Sequence, residues 1–80
     1  VAIHSNDPHR YAEDSYDLLT SREREILQLV AEGNSSKEVA NLLNLSVHTV
    51  ATHRSNLMQK LHLRGMPDLI LYAVRTGLIS

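Results

Sequence analysis

Side chains that can form hydrogen bonds gather in residues 46–61, SVHTVATHRSNLMQKL. The apolar residues of this stretch share one face at helical spacing, and they are Val47, Val50, Leu57 and Leu61. The opposite face carries His48, Ala51, Thr52, Ser55 and Gln59. These side chains are small or polar and none is acidic, so a helix bearing them could lie close to the edges of nucleic-acid bases.

The charges of the chain are unevenly distributed, although the net charge is only −1. Residues 1–38 contain eight acids and four Lys or Arg residues, whereas residues 39–67 contain three Lys or Arg residues and no acid. Three histidines also lie in the basic stretch and could add charge near a polyanion. Two interpretations stay open on charge alone: a surface for a polyanion, or an ordinary solvated helix face.

The sequence does not favour a catalytic site, a metal site or a disulfide-bonded fold. The chain has no Cys, which excludes disulfides, Cys-ligated zinc and iron–sulfur clusters. Glu23 and Glu25 are two residues apart on a predicted helix and do not face each other. His48 and His53 are five apart, a poor spacing for two metal ligands on one helical face. We therefore predict no enzyme activity, no metal and no cofactor.

Two capping boxes predict the first two helices. Residues 20–23, TSRE, stand before a helix predicted over 21–32, and residues 35–38, SSKE, stand before a helix predicted over 36–43. Asn44 should end the second helix in the left-handed conformation.

Two further helices follow, and no segment alternates like a strand. Ser46 caps a third helix that runs to about Leu61. Pro67 suits the first position of a fourth helix, which Gly77 ends. We therefore predict an all-α fold, a compact four-helix domain over residues 18–80.

Residues 1–17 have no periodicity and are rich in Asp, Ser, His and Pro, so we expect a mobile linker. The start lacks the pattern of a signal peptide, and no apolar run is long enough to span a membrane. A cytoplasmic protein with no membrane partner is the resulting expectation.

A three-residue turn joins the second and third predicted helices. A short helix, a tight turn and a longer helix are typical of a helix-turn-helix, in which the short helix braces the one that enters the major groove. Ala40 would let the two helices approach closely. A plain helical bundle that binds no DNA remains the alternative on geometry alone.

Particular residues carry a resemblance to a known family: Leu19–Glu25 (LTSRERE), Gly33, Lys37–Ala40 (KEVA), Leu43, Ser46, Thr49-Val50, Thr52-His53 and Lys60-Leu61. With them, residues 18–79 resemble the LuxR-type helix-turn-helix effector domain of bacterial response regulators, the two-component transcription factors. The resemblance implies a four-helix domain whose third helix reads DNA and whose fourth often dimerises.

The resemblance also implies roles for single residues. Base contacts carry over to His48, Ala51, Thr52 and Ser55. Phosphate contacts are implied for Lys37, Thr49 and Lys60. Two roles stay open for His53: a phosphate contact or a structural histidine. Ala51 holds a position that is often Lys in the family, which either weakens base readout there or shifts it toward methyl contact with thymine.

The fourth helix is expected to pair two copies of the chain on DNA. Its outward edge would be formed by Pro67, Leu71, Val74 and Leu78. The alternative is that Leu71 is simply an exposed apolar residue. For Arg54 we expect an ion pair with Glu23 or Glu25 rather than a DNA contact.

The predicted function is sequence-specific binding of double-stranded DNA as the output domain of a bacterial transcription regulator. A recognition helix over about 47–61 would lie in the major groove, and the full-length protein would carry an upstream receiver or sensor domain. Two alternatives remain. One is a helical protein-interaction module that docks on RNA polymerase or another regulator, and the other is the polymerase-contacting region of a sigma factor.

Overall fold

The computed structural model describes residues 15–80. Four α-helices lie wholly within that range, residues 15 and 16 are also helical, and no strand is present there. The helices are α1 (Ser21–Ala31), α2 (Ser36–Leu43), α3 (Val47–Lys60) and α4 (Met66–Arg75). The predicted all-α, four-helix fold is confirmed.

Both predicted capping boxes are present. The Thr20 hydroxyl accepts from the Glu23 N–H at 3.1 Å, and the Glu23 carboxylate accepts from the Thr20 N–H at 2.9 Å. Ser35 and Glu38 form the same reciprocal pair at 3.2 and 2.7 Å. Each box satisfies two backbone groups that the first turn of a helix would otherwise leave unpaired, so it fixes where α1 and α2 begin.

A three-residue turn joins α2 to α3, as predicted. Asn44 has φ 58° and ψ 46°, the left-handed conformation that Asn tolerates. The Leu45 N–H donates to the Ala40 carbonyl at 2.9 Å and closes the end of α2. The Ser46 hydroxyl then accepts from the Thr49 N–H at 3.0 Å and starts α3. These contacts set the geometry of a helix-turn-helix.

The core lies where α1 packs against α2, α3 and α4, with α2 also packed against α3. All four helices contribute fully buried side chains, which include Ile26, Leu27, Val30, Val39, Val50, Leu57 and Leu69. One apolar prediction is wrong, because Val47 is 48% exposed. The part of α3 that enters the core begins one turn later, at Val50, and continues through Leu57.

The helix ends differ from the predicted ones by one residue. Glu32 and Leu61 are C-caps rather than the last helical residues of α1 and α3. Met66 precedes Pro67 in α4, so the proline is the second residue of the helix and not the first. Proline is tolerated there because the N–H groups of the first turn have no partner within the helix.

Part of the predicted linker contacts the helical domain. Residues 1–14 lie outside the described range, but Ser15 is buried and Tyr16 packs against the core. The Arg24 guanidinium lies over the Tyr16 ring, 4.8 Å from its centroid. Helices long and apolar enough to cross a membrane are absent from residues 15–80.

Candidate nucleic-acid interface

The outward face of α3 carries neither acid nor Lys nor Arg. The four predicted base-contacting residues are all exposed on it, and they are His48, Ala51, Thr52 and Ser55. Asn56 and Gln59 are exposed beside them. Asn56 was not among the predicted contact residues, although its spacing from Val50 places it on the side of the helical wheel away from Val50. Val50 and Leu57 are fully buried on the opposite side, so α3 is fixed on one face and free on the other.

One of these outward side chains already makes a hydrogen bond. The Thr52 hydroxyl donates to the His48 carbonyl, one turn earlier, at 3.1 Å. Its single proton is therefore engaged with the helix backbone. The side chain presents a methyl group and an oxygen that can only accept.

The ammonium of Lys60 bridges α3 and α1. Its Nζ lies 2.8 Å from Glu23 Oε1 and donates to the Leu18 carbonyl at 3.3 Å. The Glu23 side chain is only 4% exposed, and the same oxygen accepts from the Thr20 N–H. Lys60 thus has two of its three protons bound inside the protein, which leaves one for the predicted phosphate contact.

The environment of Glu23 keeps it ionised. Burial by itself raises the pKa of the Glu23 carboxyl. The hydrogen bonds from Lys60 and from the Thr20 backbone, together with the Lys60 charge, outweigh burial and hold the pKa below its ordinary value. Glu23 and Lys60 therefore form a charged pair at neutral pH.

Arg54 forms a second bridge from α3. Its Nη1 donates to the Ser36 hydroxyl at 3.1 Å, at the start of α2, and its Nη2 lies 2.9 Å from the Met66 sulfur, at the start of α4. Arg54 and Lys60 are the two Lys or Arg residues of α3. Both hold α3 against the other helices.

The predicted ion pair of Arg54 is wrong. Glu23 is bound by Lys60, and Glu25 pairs with Arg22 on its own helix at 3.1 Å. Arg54 points instead toward the starts of α2 and α4. In place of that ion pair, its bonds to Ser36 and Met66 hold α3 against the starts of those two helices.

The other predicted phosphate contacts differ in exposure. Lys37 is exposed at the second residue of α2, whereas Thr49 and His53 are half-buried. The Thr49 hydroxyl accepts from the Ser46 hydroxyl at 2.8 Å. The bond between Ser36 and Arg54 places the start of α2, and hence Lys37, beside the middle of α3.

The predicted dimerisation edge of α4 is mostly open. Pro67 is exposed, and Leu71 and Val74 are 54% and 52% exposed. Leu78 differs, since it packs against the core and its carbonyl accepts from the Gln28 amide at 2.9 Å. In residues 15–80, no group of three or more His, Asp or Glu side chains could hold a metal ion.

Residues 17–73 match the protein family described as bacterial regulatory proteins, luxR family. The uncharacterized response regulatory protein YgeK of Escherichia coli is 51% identical over 71 residues, which are 89% of this chain and 47% of YgeK. The oxygen regulatory protein NreC of Staphylococcus carnosus is 43% identical over 76 residues, which are 95% of this chain and 32% of NreC. The chain thus spans about half of the first relative and a third of the second.

Two solved structures have a similar fold. Full-length FixJ from B. japonicum superposes with a TM-score of 0.78 at 26% identity, over 91% of this chain and 37% of FixJ. The transcription factor GerE superposes with a TM-score of 0.66 at 44% identity, over 79% of this chain and 94% of GerE. The sequence match and the shared fold agree. This chain belongs to the luxR family of bacterial regulatory proteins, as a helix-turn-helix effector domain of the response-regulator type.

Proposed function

We propose that this chain binds specific sequences of double-stranded DNA, with α3 in the major groove. The observation that supports this is the outward face of α3, where a continuous set of exposed, hydrogen-bonding or small side chains carries no acid. The major groove is about 12 Å wide and admits one helix. The opposite face of α3 is fixed by Val50 and Leu57 in the core.

Base contacts would come from the outward face, through His48, Ala51, Thr52 and Ser55. Phosphate contacts would come from its flanks, through Lys37, Thr49 and His53, with the remaining proton of Lys60 as a fourth donor. Such contacts position the helix on the duplex, whereas contacts to base edges select the sequence.

The chain would act as the output domain of a longer bacterial regulator in the cytoplasm. Its relatives YgeK and NreC are about two and three times as long as the part that it matches. An upstream receiver or sensor domain would occupy that additional length. RNA polymerase would be a further partner when the regulator is bound at a promoter.

Two copies would pair on DNA through the open edge of α4. Leu71 and Val74 are each more than half exposed there, and Pro67 is also exposed. Pairing would set two half-sites about 10 base pairs apart and make binding cooperative. The interface would be small, so the free chain would be largely monomeric at low concentration.

The test is selection of bound duplexes from a random library by the 80-residue chain, followed by titration of the selected duplex and a scrambled duplex at several salt concentrations. We expect one enriched motif, a preference of about 10³ or more over the scrambled duplex, and an affinity that falls steeply with salt. Absence of enrichment, with equal binding to both duplexes, would contradict the proposal. Binding to RNA polymerase without DNA binding would favour the protein-interaction alternative.

A further inference from the structure

We propose that the half-site read by α3 has thymine at the base pairs facing Ala51 and Thr52, and that the chain recognises the C5-methyl groups of those thymines. This inference rests on the proposed DNA binding and specifies its substrate. It follows from what the two side chains can and cannot offer a base edge.

Thr52 can offer a methyl group and an acceptor, but no proton. Its hydroxyl donates to the His48 carbonyl at 3.1 Å, and the side chain is exposed. Guanine presents two acceptors in the major groove, N7 and O6, which an oxygen without a free proton cannot satisfy. A T·A pair presents the thymine methyl for the Thr52 methyl and the adenine amino group for the Thr52 oxygen. A C·G pair presents an amino group but no methyl. Thr52 therefore discriminates in favour of T·A.

Ala51 can offer only a methyl group, and it is exposed one residue before Thr52. The commonest contact to guanine is a bidentate one from Arg or Lys. On α3 those residue types occur only as Arg54 and Lys60, and both are bound to other helices. The outward face thus lacks the usual guanine reader, while two adjacent positions present methyl groups.

The experiment replaces thymine by uracil, one position at a time, in the duplex selected by the 80-residue chain. Uracil keeps the Watson–Crick pairing and removes only the C5-methyl group. We expect affinity to fall about fourfold at each of two base pairs and to change little at the others. At those two base pairs the substitution removes one methyl group from an apolar contact with the protein.

Two variants assign the sensitive positions to residues. Thr52→Ser keeps the hydroxyl that binds the His48 carbonyl and removes the methyl group, so it should abolish the uracil effect at one base pair and leave the other intact. Ala51→Lys should change the selected base pair at the other position from T·A to G·C. It should also make the slope of log affinity against log salt concentration more negative by about one. Both positions are exposed, so thermal unfolding should be unchanged and serves as the control for folding.

The outcomes separate this inference from the function on which it rests. A selected motif that carries G·C opposite Ala51 and Thr52, or a uracil scan without any loss above about 1.5-fold, would overturn thymine recognition while leaving specific DNA binding in place. Failure to select any motif would instead overturn the proposed function. A loss of affinity at two uracil positions, with Thr52→Ser abolishing the loss at one of them, supports both thymine recognition and specific DNA binding.

Discussion

The two faces of α3 use different chemistry. The inward face is apolar at Val50 and Leu57, and on its flanks Arg54 and Lys60 reach the other helices. The outward face has no Lys or Arg and consists of small or uncharged hydrogen-bonding groups together with His48. The basic stretch in the middle of the sequence therefore does not give α3 a basic outward face. The two α3 cations bind the other helices, and the outward face is left with small or uncharged side chains and His48.

The bond between Lys60 and Glu23 joins the end of α3 to the start of α1. Glu23 takes part in the capping box that starts α1 and also binds the end of α3. One buried carboxylate therefore fixes both where α1 begins and how α3 lies against it. A change at this site should alter the stability of the domain, whereas a change on the outward face should alter DNA binding alone.

Lys60→Met should produce the largest effect on stability. The substitution keeps an unbranched side chain but leaves the Glu23 carboxylate buried without its ammonium partner. We expect the free energy of unfolding to fall by about 2 kcal/mol, because a buried charged acceptor without its partner is costly. Urea denaturation measures this change. The matched control is Lys37→Met, at an exposed lysine, which should cost less than about 0.5 kcal/mol. Equal losses in the two variants would show that the bridge does not stabilise the fold.

The same bridge predicts a dependence of stability on pH. The pKa of Glu23 is lower in the folded protein than its ordinary value of about 4.5, so the carboxylate stabilises the fold fully above that ordinary pKa. That contribution is lost as the pH falls through the lowered folded pKa. Glu23→Gln should therefore be less stable than the parent chain near neutral pH, and the difference should narrow as the pH falls below about 4. A difference that stays constant down to the acid transition of the parent chain would contradict the assignment.

Thr52→Ala should weaken DNA binding without affecting the fold. The side chain is exposed, so urea denaturation should show no change above about 0.5 kcal/mol. Loss of its methyl group and oxygen should cost about 1 kcal/mol on the best duplex and relax the preference at one base pair. Competition titrations against duplexes that vary at each position measure both. Ser21→Ala, at an exposed position on α1, is the control. A uniform loss on all duplexes, with an unchanged preference, would argue against base contact by Thr52.

Leu71→Glu should have the smallest effect on the free domain. Leu71 is 54% exposed on α4, so stability and binding to a single half-site should hardly change. Two like charges facing each other across a two-fold axis should nevertheless abolish cooperative binding to a duplex with two half-sites. Leu18→Glu, at another exposed leucine outside α4, controls for the added charge. If cooperative binding survives Leu71→Glu, α4 is not the dimerisation surface.

The elements that were predictable from the sequence depend on contacts within a few residues. Thr20 with Glu23, and Ser35 with Glu38, are three residues apart, and the turn at Asn44 is closed by a hydrogen bond from the Leu45 N–H to the Ala40 carbonyl, five residues earlier. Such local interactions are encoded in short segments, so the starts of α1, α2 and α3 and the helix-turn-helix followed from the sequence. The start of α4 has no side-chain cap and differs from the predicted one by one residue.

The partners of the charged side chains could not be predicted in the same way. Lys60 lies 37 residues from Glu23, and Arg54 lies 18 residues from Ser36. Which cation reaches the buried carboxylate depends on how α1 and α3 pack, and the sequence pattern contains no such information. Val47 was misplaced for a related reason, since helical spacing gives the face of a residue but not the point at which a helix enters the core.

The most direct test of the difference between the two faces of α3 compares two variants. Each introduces one negative charge at one exposed serine. Ser55→Glu puts an acid in the middle of the outward face of α3, and Ser21→Glu puts the same acid on α1. The measurement is the affinity of each variant for the selected duplex, together with its melting temperature. We predict that Ser55→Glu loses about 100-fold or more in affinity with an unchanged melting temperature, because a carboxylate in the groove repels the phosphates and leaves a desolvated charge unpaired. Ser21→Glu should bind within about threefold of the parent chain. Equal affinities for the two variants would contradict the assignment of α3 as the helix that reads DNA.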